Sequence, residues 1–182
     1  MRDQKKRIVI APDSFKGTMT AIEVCRIIRK AFLQVDSALE ICCLPMADGG
    51  EGTVDAFLSA LGGERKTVRV HGPLFAMHNA SFGILKDGTA ILEMAAAAGL
   101  PLAGKDANPM YTTTFGVGEL IRAALDAGCR KIRVGAGGSA TTDGGIGCLT
   151  ALGARFTDKT GEEVPPMGCG LSRVACINLD GL

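Results

Sequence analysis

Two hydrophobic rhythms alternate along the chain. Residues 7–11 (R-I-V-I-A), 40–44 (E-I-C-C-L) and 131–134 (K-I-R-V) are short apolar runs, the pattern of strands covered on both faces. Between such runs, apolar positions recur every three or four residues. Ile22, Cys25, Ile28, Ala31 and Phe32 fall on one helix face behind Thr20, which with Glu23 forms a capping box. Further helices are predicted over 52–61, closed by Gly62-Gly63, over 119–127, ended by Gly128, and over 145–152. From about Glu64 to Glu93 the rhythm changes. Val68 and Val70, then Phe82 and Ile84, alternate with other residues, and the turn Lys86-Asp87-Gly88 feeds a run over 90–94. This predicts antiparallel strands with one face in water. The whole implies an α/β fold: a mostly parallel Rossmann-like sheet with helices on both faces, plus a partial second α/β subdomain with antiparallel strands. A boundary is expected near Gly63, dividing 1–63 from 64–182, the second portion incomplete at its C-terminal end.

Composition narrows the function. Hydrophobic residues make up 47% and charged residues 21% of the 182, enough apolar material for a sizeable core. Twenty Lys and Arg against nineteen Asp and Glu leave a net charge of +1, which argues against nucleic acid or an anionic membrane as partner. With no Trp and one Tyr, a base-stacking surface is not expected. The basic opening, 1–7, is followed by an apolar run only over 8–11, shorter than a signal-peptide core. The bland stretch 94–104 is too short to span a bilayer. Seven Cys, no C-x-x-C and two His are poor material for zinc; reduced thiols in a cytoplasmic protein are expected.

The excess is in glycine, 25 residues, and it gathers in loops between strands and helices. In open parallel sheets ligands bind outside the carboxyl ends of the strands, where such loops cluster. In A-P-D-S-F-K-G-T (11–18), Asp13, Ser14 and Lys16 emerge together after Pro12, and the lysine suits a phosphate or carboxylate. In P-M-A-D-G-G-E-G-T (45–53), Asp48 and Glu51 flank Gly49 and Gly50; two acids so placed can hold Mg²⁺ or take a hydroxyl proton. In G-A-G-G-S-A-T-T-D-G-G (135–145), Gly137 and Gly138 offer backbone N–H groups, Ser139, Thr141 and Thr142 add hydroxyls, and Asp143 adds a metal ligand. Each loop also has a plainer reading: a solvated turn, an Asp-Gly turn before a helix, and a tight crossover. A-D-G-G-E-G-T (47–53) and T-D-G-G-I-G-C (142–148) share chemistry rather than ancestry.

Other residues leave alternatives open. Gly135, Gly137 and Ala140 fit a dinucleotide fingerprint, with Asp158 where a ribose-binding acid is expected. Glu93, in an apolar run, faces either the cleft or water at an edge. Thr112, Thr113 and Thr114 are a helix cap or a ligand contact. His71 and His78 face solvent or core.

The segments I-V-I-A-P-D-S-F-K-G, P-M-A-D-G-G-E-G-T, E-M-A-A-A-A-G-L-P, N-P-M-Y-T-T-T-F-G-V-G-E-L-I and G-G-S-A-T-T-D-G-G resemble, in order, the type 1 glycerate kinases of bacteria. The resemblance implies two α/β domains flanking a cleft, and transfer of phosphate from ATP with Mg²⁺ to D-glycerate. Ala98, Phe115, Val117 and Thr142 depart from the residues common in that family. Members are about twice as long, and their later T-G-E-G-R-x-D segment is absent, so the chain reads as an N-terminal half. On this reading Lys16, Asp48 and Asp143 are catalytic, Asp48 and Asp143 being the metal ligands. Asp13, Ser14, Gly49, Gly50, Glu51, Gly137, Gly138, Ser139 and Thr141 would bind glycerate or nucleotide. The alternatives are an NAD(P)-dependent oxidoreductase built on the fingerprint, and an inactive half-domain that needs a complementing chain. A homo-oligomer is a further expectation.

Overall fold

The computed structural model describes residues 6–105 and 107–182; most of the basic opening segment lies outside them. Along the chain run β1 (Arg7–Ile10), α1 (Ala21–Val35), β2 (Glu40–Cys43), α2 (Thr53–Leu61), β3 (Gly63–His71), β4 (Met77–Leu85) and β5 (Thr89–Glu93). The short helices α3 (Ala95–Ala98) and α4 (Leu100–Ala103) follow, then α5 (Phe115–Asp126), β6 (Lys131–Gly135), α6 (Ile146–Leu152), β7 (Arg155–Thr157) and β8 (Cys176–Asn178). Among the described residues no helix is long and apolar enough to cross a membrane.

The fold is α/β, with a mixed sheet at its centre. The order is β3-β4-β5-β6, antiparallel through β3, β4 and β5, and parallel between β5 and β6. Parallel pairing is thus narrower than the strand–helix alternation implied. The reason is local: a short turn joins β3 to β4, and only antiparallel neighbours can be joined so. Each face of this sheet carries a helix. Phe82, Ala90 and Leu92 pack against Val117, Leu120 and Ala124 of α5. Val54, Phe57 and Leu58 of α2 cover Leu85 and Ile91 on the other face. β5 is consequently buried along its whole length.

β1 and β2 form a separate parallel pair, with Ile10 beside Cys43. The capping box of α1 is present: Glu23 N donates to Thr20 Oγ1 (3.2 Å) and Thr20 N to Glu23 Oε2 (2.8 Å). The two strands, however, are not covered on both faces. Ile10 is buried, but Val9 is 58% exposed, because α1 lies on one side only. β7 and β8 pair antiparallel beside a smaller cluster of Ile146, Ala154, Phe156 and Val164.

α5 begins at Phe115, four residues before the position its hydrophobic pattern predicts. Gly116 and Gly118 obscure that first turn, since glycine weakens a helix. They are there for packing: a Cβ on Gly116 would strike the carbonyl of His71, and one on Gly118 the carbonyl of Cys148.

Candidate active site

The loops after β1 and β2 leave one edge of their sheet together. Leu44 N donates to Ile10 O (2.8 Å) and Met46 N to Pro12 O (2.9 Å), which holds the loops side by side past the strands. The first loop then doubles back through Phe15 N to Met19 O (2.9 Å), with Gly17 left-handed at φ +73°. This turn presents Lys16, exposed, at the mouth of a cleft of about 610 Å³. Asp13, Ser14, Asp48, Gly50, Glu51 and Gly138 line the same cleft. Its other walls come from Thr18, Thr20, Ala95, Leu100 and Pro101, which sequence reasoning did not assign. The run A-A-A-A-G-L-P carries no chemistry of its own, so nothing in it signals a ligand wall.

The second loop is an Asx turn. Asp48 Oδ1 accepts from Gly50 N (2.8 Å), and Gly52, left-handed at φ +92°, starts α2. Asp48 is exposed, and its Oδ2 has no intramolecular partner among the described residues. The third loop follows β6 and meets the second backbone to backbone: Gly137 N donates to Gly49 O (2.9 Å). A Cβ on Gly137 would lie 2.6 Å from Gly50 N. Gly49 and Gly137 therefore serve the contact between loops.

Asp143 is elsewhere. It is 1% exposed and its carboxylate is fully engaged. Oδ2 accepts from Thr114 N (2.8 Å), Thr114 Oγ1 (2.8 Å) and Gly147 N (3.2 Å), and Oδ1 accepts from Gly145 N (3.0 Å). With Ser139 and Thr141 it lines a second hollow of about 490 Å³, walled by Val117, Ile121 and Leu149. Ser139 and Thr141 bond each other there (2.8 Å). Lys16 and Asp48 thus come together, and Asp143 does not join them.

The remaining polar residues are bonded into the structure. Glu93 faces neither cleft nor water: it is buried, and Oε1 accepts from Val54 N (2.6 Å) at the start of α2. Burial pushes its carboxyl above the usual range. Thr112, Thr113 and Thr114 are buried cross-links: Thr112 Oγ1 donates to Ala140 O (2.9 Å), Thr113 to Pro166 O, and Thr114 Oγ1 accepts from Cys148 N (2.9 Å). His71 is half-buried, its Nδ1 2.9 Å from Glu119 Oε1. His78 Nε2 lies 2.9 Å from the carbonyl of Ala96.

The dinucleotide reading does not survive this geometry. A pyrophosphate needs free N–H groups at a helix start, but Gly137 N is taken by Gly49 and Ala140 N by Ala98 O (2.8 Å). Asp158 is held by Thr160 Oγ1 (2.6 Å) and Arg173 (2.7 Å), and these partners keep its carboxyl well below the usual range.

Residues 8–182 match the glycerate kinase family. The chain is 48% identical over 178 residues to a glycerate kinase of Bacillus subtilis, covering 97% of this chain and 47% of that protein. It is 46% identical over 178 residues to a glycerate 2-kinase of Escherichia coli, with the same coverage. A solved structure from Salmonella typhimurium, described as glycerate kinase 2, superposes with a TM-score of 0.84 at 46% identity, over 98% of this chain and 48% of that one. The chain spans about half the length of these relatives. The shared loops, the α/β framework and the length of the match together place the chain in the glycerate kinase family.

Proposed function

We propose that the protein acts in the ATP-dependent, Mg²⁺-assisted phosphorylation of D-glycerate in the cytoplasm, with the cleft at the ends of β1 and β2 holding the reacting groups. The observation that carries this reading is the meeting of Lys16 and Asp48, both exposed, in one cleft of about 610 Å³. Phosphoryl transfer depends on positioning and charge neutralisation more than on covalent chemistry. Lys16 supplies a positive charge for a phosphate or the glycerate carboxylate, and Ser14 supplies a hydroxyl beside it. Asp48 has an outward oxygen that can orient the attacking hydroxyl, accept its proton, or ligate a cation. Glu51 and Asp13 add negative charge to the cleft wall.

The residues fit Mg²⁺ only in part. Among the described residues no three metal-ligating side chains cluster. Mg²⁺ usually takes one or two carboxylates and completes its shell with water and substrate phosphates, so Asp48 suffices as an anchor. Bound there, the ion would neutralise phosphate charge. Asp143, with four hydrogen bonds and 1% exposure, does not fit as a ligand or base. Its role is to hold the third loop, whose Gly138 borders the cleft.

Calorimetric titration with Mg·ATP, with D-glycerate and with NADH tests the reading. Binding of Mg·ATP or glycerate is expected, and none of NADH. Lys16→Ala is expected to weaken that binding at least tenfold, since such a contact contributes over about 1.4 kcal/mol. Unchanged binding in that variant would remove Lys16 from the site. Release of phosphoglycerate, assayed with the chain alone and with the complementary part of a relative supplied, separates a self-sufficient catalyst from a half-domain.

A further inference from the structure

Helix α1, which follows the Lys16 loop, is lightly fastened: of its 15 residues only Val24 and Cys25 are buried. Two thiols meet at that fastening. Cys25 Sγ donates to Ile10 O (3.7 Å) and Cys43 Sγ donates to Cys25 O (3.8 Å), while Ile10 and Cys43 are cross-strand neighbours. Side chains alternate along a strand, so Cys43, and not the adjacent Cys42, lies on the α1 side of β2. Both thiols of the pair are free, and they differ in access: Cys25 is 3% exposed, whereas Cys43 is only half-buried. Burial, and then the Cys43 thiol beside it, push the Cys25 thiol above the usual range.

We propose that Cys25 and Cys43 are an oxidisable pair, which a hydroperoxide closes to a disulfide that fastens α1 to β2. The thiolate is the reacting form of a cysteine, and Cys43 is the member that an oxidant reaches. Its sulfur attacks one peroxide oxygen; the O–O bond breaks, Cys43 becomes a sulfenic acid, and the released hydroxide recovers a proton as water. The Cys25 sulfur then attacks the Cys43 sulfur. The S–S bond forms, the S–O bond breaks, and the departing hydroxide takes the Cys25 proton and leaves as water. The two sulfurs together lose two electrons, so two thiols and one hydrogen peroxide give one disulfide and two waters. A resolving thiol that keeps its proton suits this order, because it is not oxidised first and it protonates the leaving group. A thiol reductant reverses the reaction by exchange. The bridge would join the helix behind the Lys16 loop to the strand that leads into the Asp48 loop. The proposal does not depend on the phosphoryl-transfer reading, because it is read by mass and by unfolding and not by turnover.

The test treats the full 182-residue chain with hydrogen peroxide, alkylates the remaining thiols and digests with trypsin without reduction. Mass spectrometry should find the peptide carrying Cys25 joined to the peptide carrying Cys42 and Cys43, and dithiothreitol should part them. Cys42→Ser should leave the joined peptides intact, and Cys43→Ser should abolish them. Cys25→Ala should halt the reaction at the Cys43 sulfenic acid, which dimedone traps; if that variant fails to fold, Cys25→Ser makes the same test. The urea midpoint of the oxidised natural chain should rise by about 0.5 M or more over the reduced chain. Joined peptides that depend on Cys42, their absence while exposed Cys176 is oxidised, or a midpoint that does not rise would each overturn the proposal.

Discussion

Two loops in this molecule carry the same signature, Asp-Gly-Gly, and use it in opposite ways. In both, the aspartate accepts a hydrogen bond from the second glycine: Gly50 N on Asp48 at 2.8 Å, Gly145 N on Asp143 at 3.0 Å. The difference lies in who starts the following helix. At α6, Asp143 Oδ2 takes Gly147 N and Thr114 together, so one carboxylate anchors α6 and the start of α5. At α2 that task falls to Glu93, reaching in from β5. Asp48 is thereby relieved of anchoring the helix and left exposed at the cleft. A sequence motif specifies a turn; which neighbour satisfies the helix N–H groups decides whether its acid is available for chemistry.

The strongest test of this contrast is a pair of substitutions. Asp143→Ala strands N–H and hydroxyl groups of three residues, Thr114, Gly145 and Gly147, and is expected to cost roughly 3 kcal/mol or more. Asp48→Ala loses a single part-buried turn bond and is expected to cost about 1 kcal/mol. Urea unfolding reads both, and equal costs would erase the distinction. Next in size is the contact between the loops. Gly137→Ala forces a Cβ to 2.6 Å from Gly50 N, with an expected cost of about 1–3 kcal/mol from the clash. Gly52→Ala has open space around it, so only its left-handed φ of +92° opposes the change, at about 1–2 kcal/mol. The two should differ in Mg·ATP or glycerate binding as well, because only Gly137→Ala parts the second loop from the third.

Glu93 sharpens the comparison through pH. Burial raises its folded pKa, so the folded state keeps this proton at pH values where the unfolded chain has released it. Its contribution is full below the usual carboxylate range and is lost as pH rises through the folded value. Stability of the natural chain should therefore fall over that window, and Glu93→Gln, which keeps an oxygen for Val54 N, should flatten the slope. Urea midpoints between pH 4 and 8, values spanning the ordinary glutamate range of about 4.3, make the measurement. A slope that persists in the variant would show that Glu93 is not its source.

Much of this was legible in the residues, and what was not has identifiable causes. The capping box at Thr20, the turn at Lys86-Asp87-Gly88 and the antiparallel stretch after Gly63 are local signals, and local structure obeys them. The first turn of α5 was hidden because its glycines answer to His71 and Cys148, far away in sequence. The exposure of Val9 could not be read from an apolar run, since a run records which residues seek cover and not whether cover is supplied. The same limit applies to acids. Asp48, Glu93 and Asp143 all stood out as candidates, and only long-range partners separate the free one from the two that anchor helices.

The smallest effect expected is chemical rather than energetic. Cys148 sits on α6 beside the anchored aspartate, its backbone N–H bonded to Thr114 Oγ1 at 2.9 Å. Burial, and then the charge of Asp143, push its thiol up to about 11. At pH 8 its thiolate fraction is therefore roughly 100-fold below that of an ordinary cysteine, and its alkylation should be slow, Cys42 and Cys176 being exposed and Cys148 not. Its rate should keep climbing between pH 9 and 11, where unburied thiols level off. Asp48→Asn, in the other loop, should leave that profile unmoved. Were Cys148 to react alongside the exposed thiols at pH 8, the closed, charged environment assigned to the Asp143 loop would be untenable, and the two Asp-Gly-Gly turns would no longer differ in the way that frees one of them for a ligand.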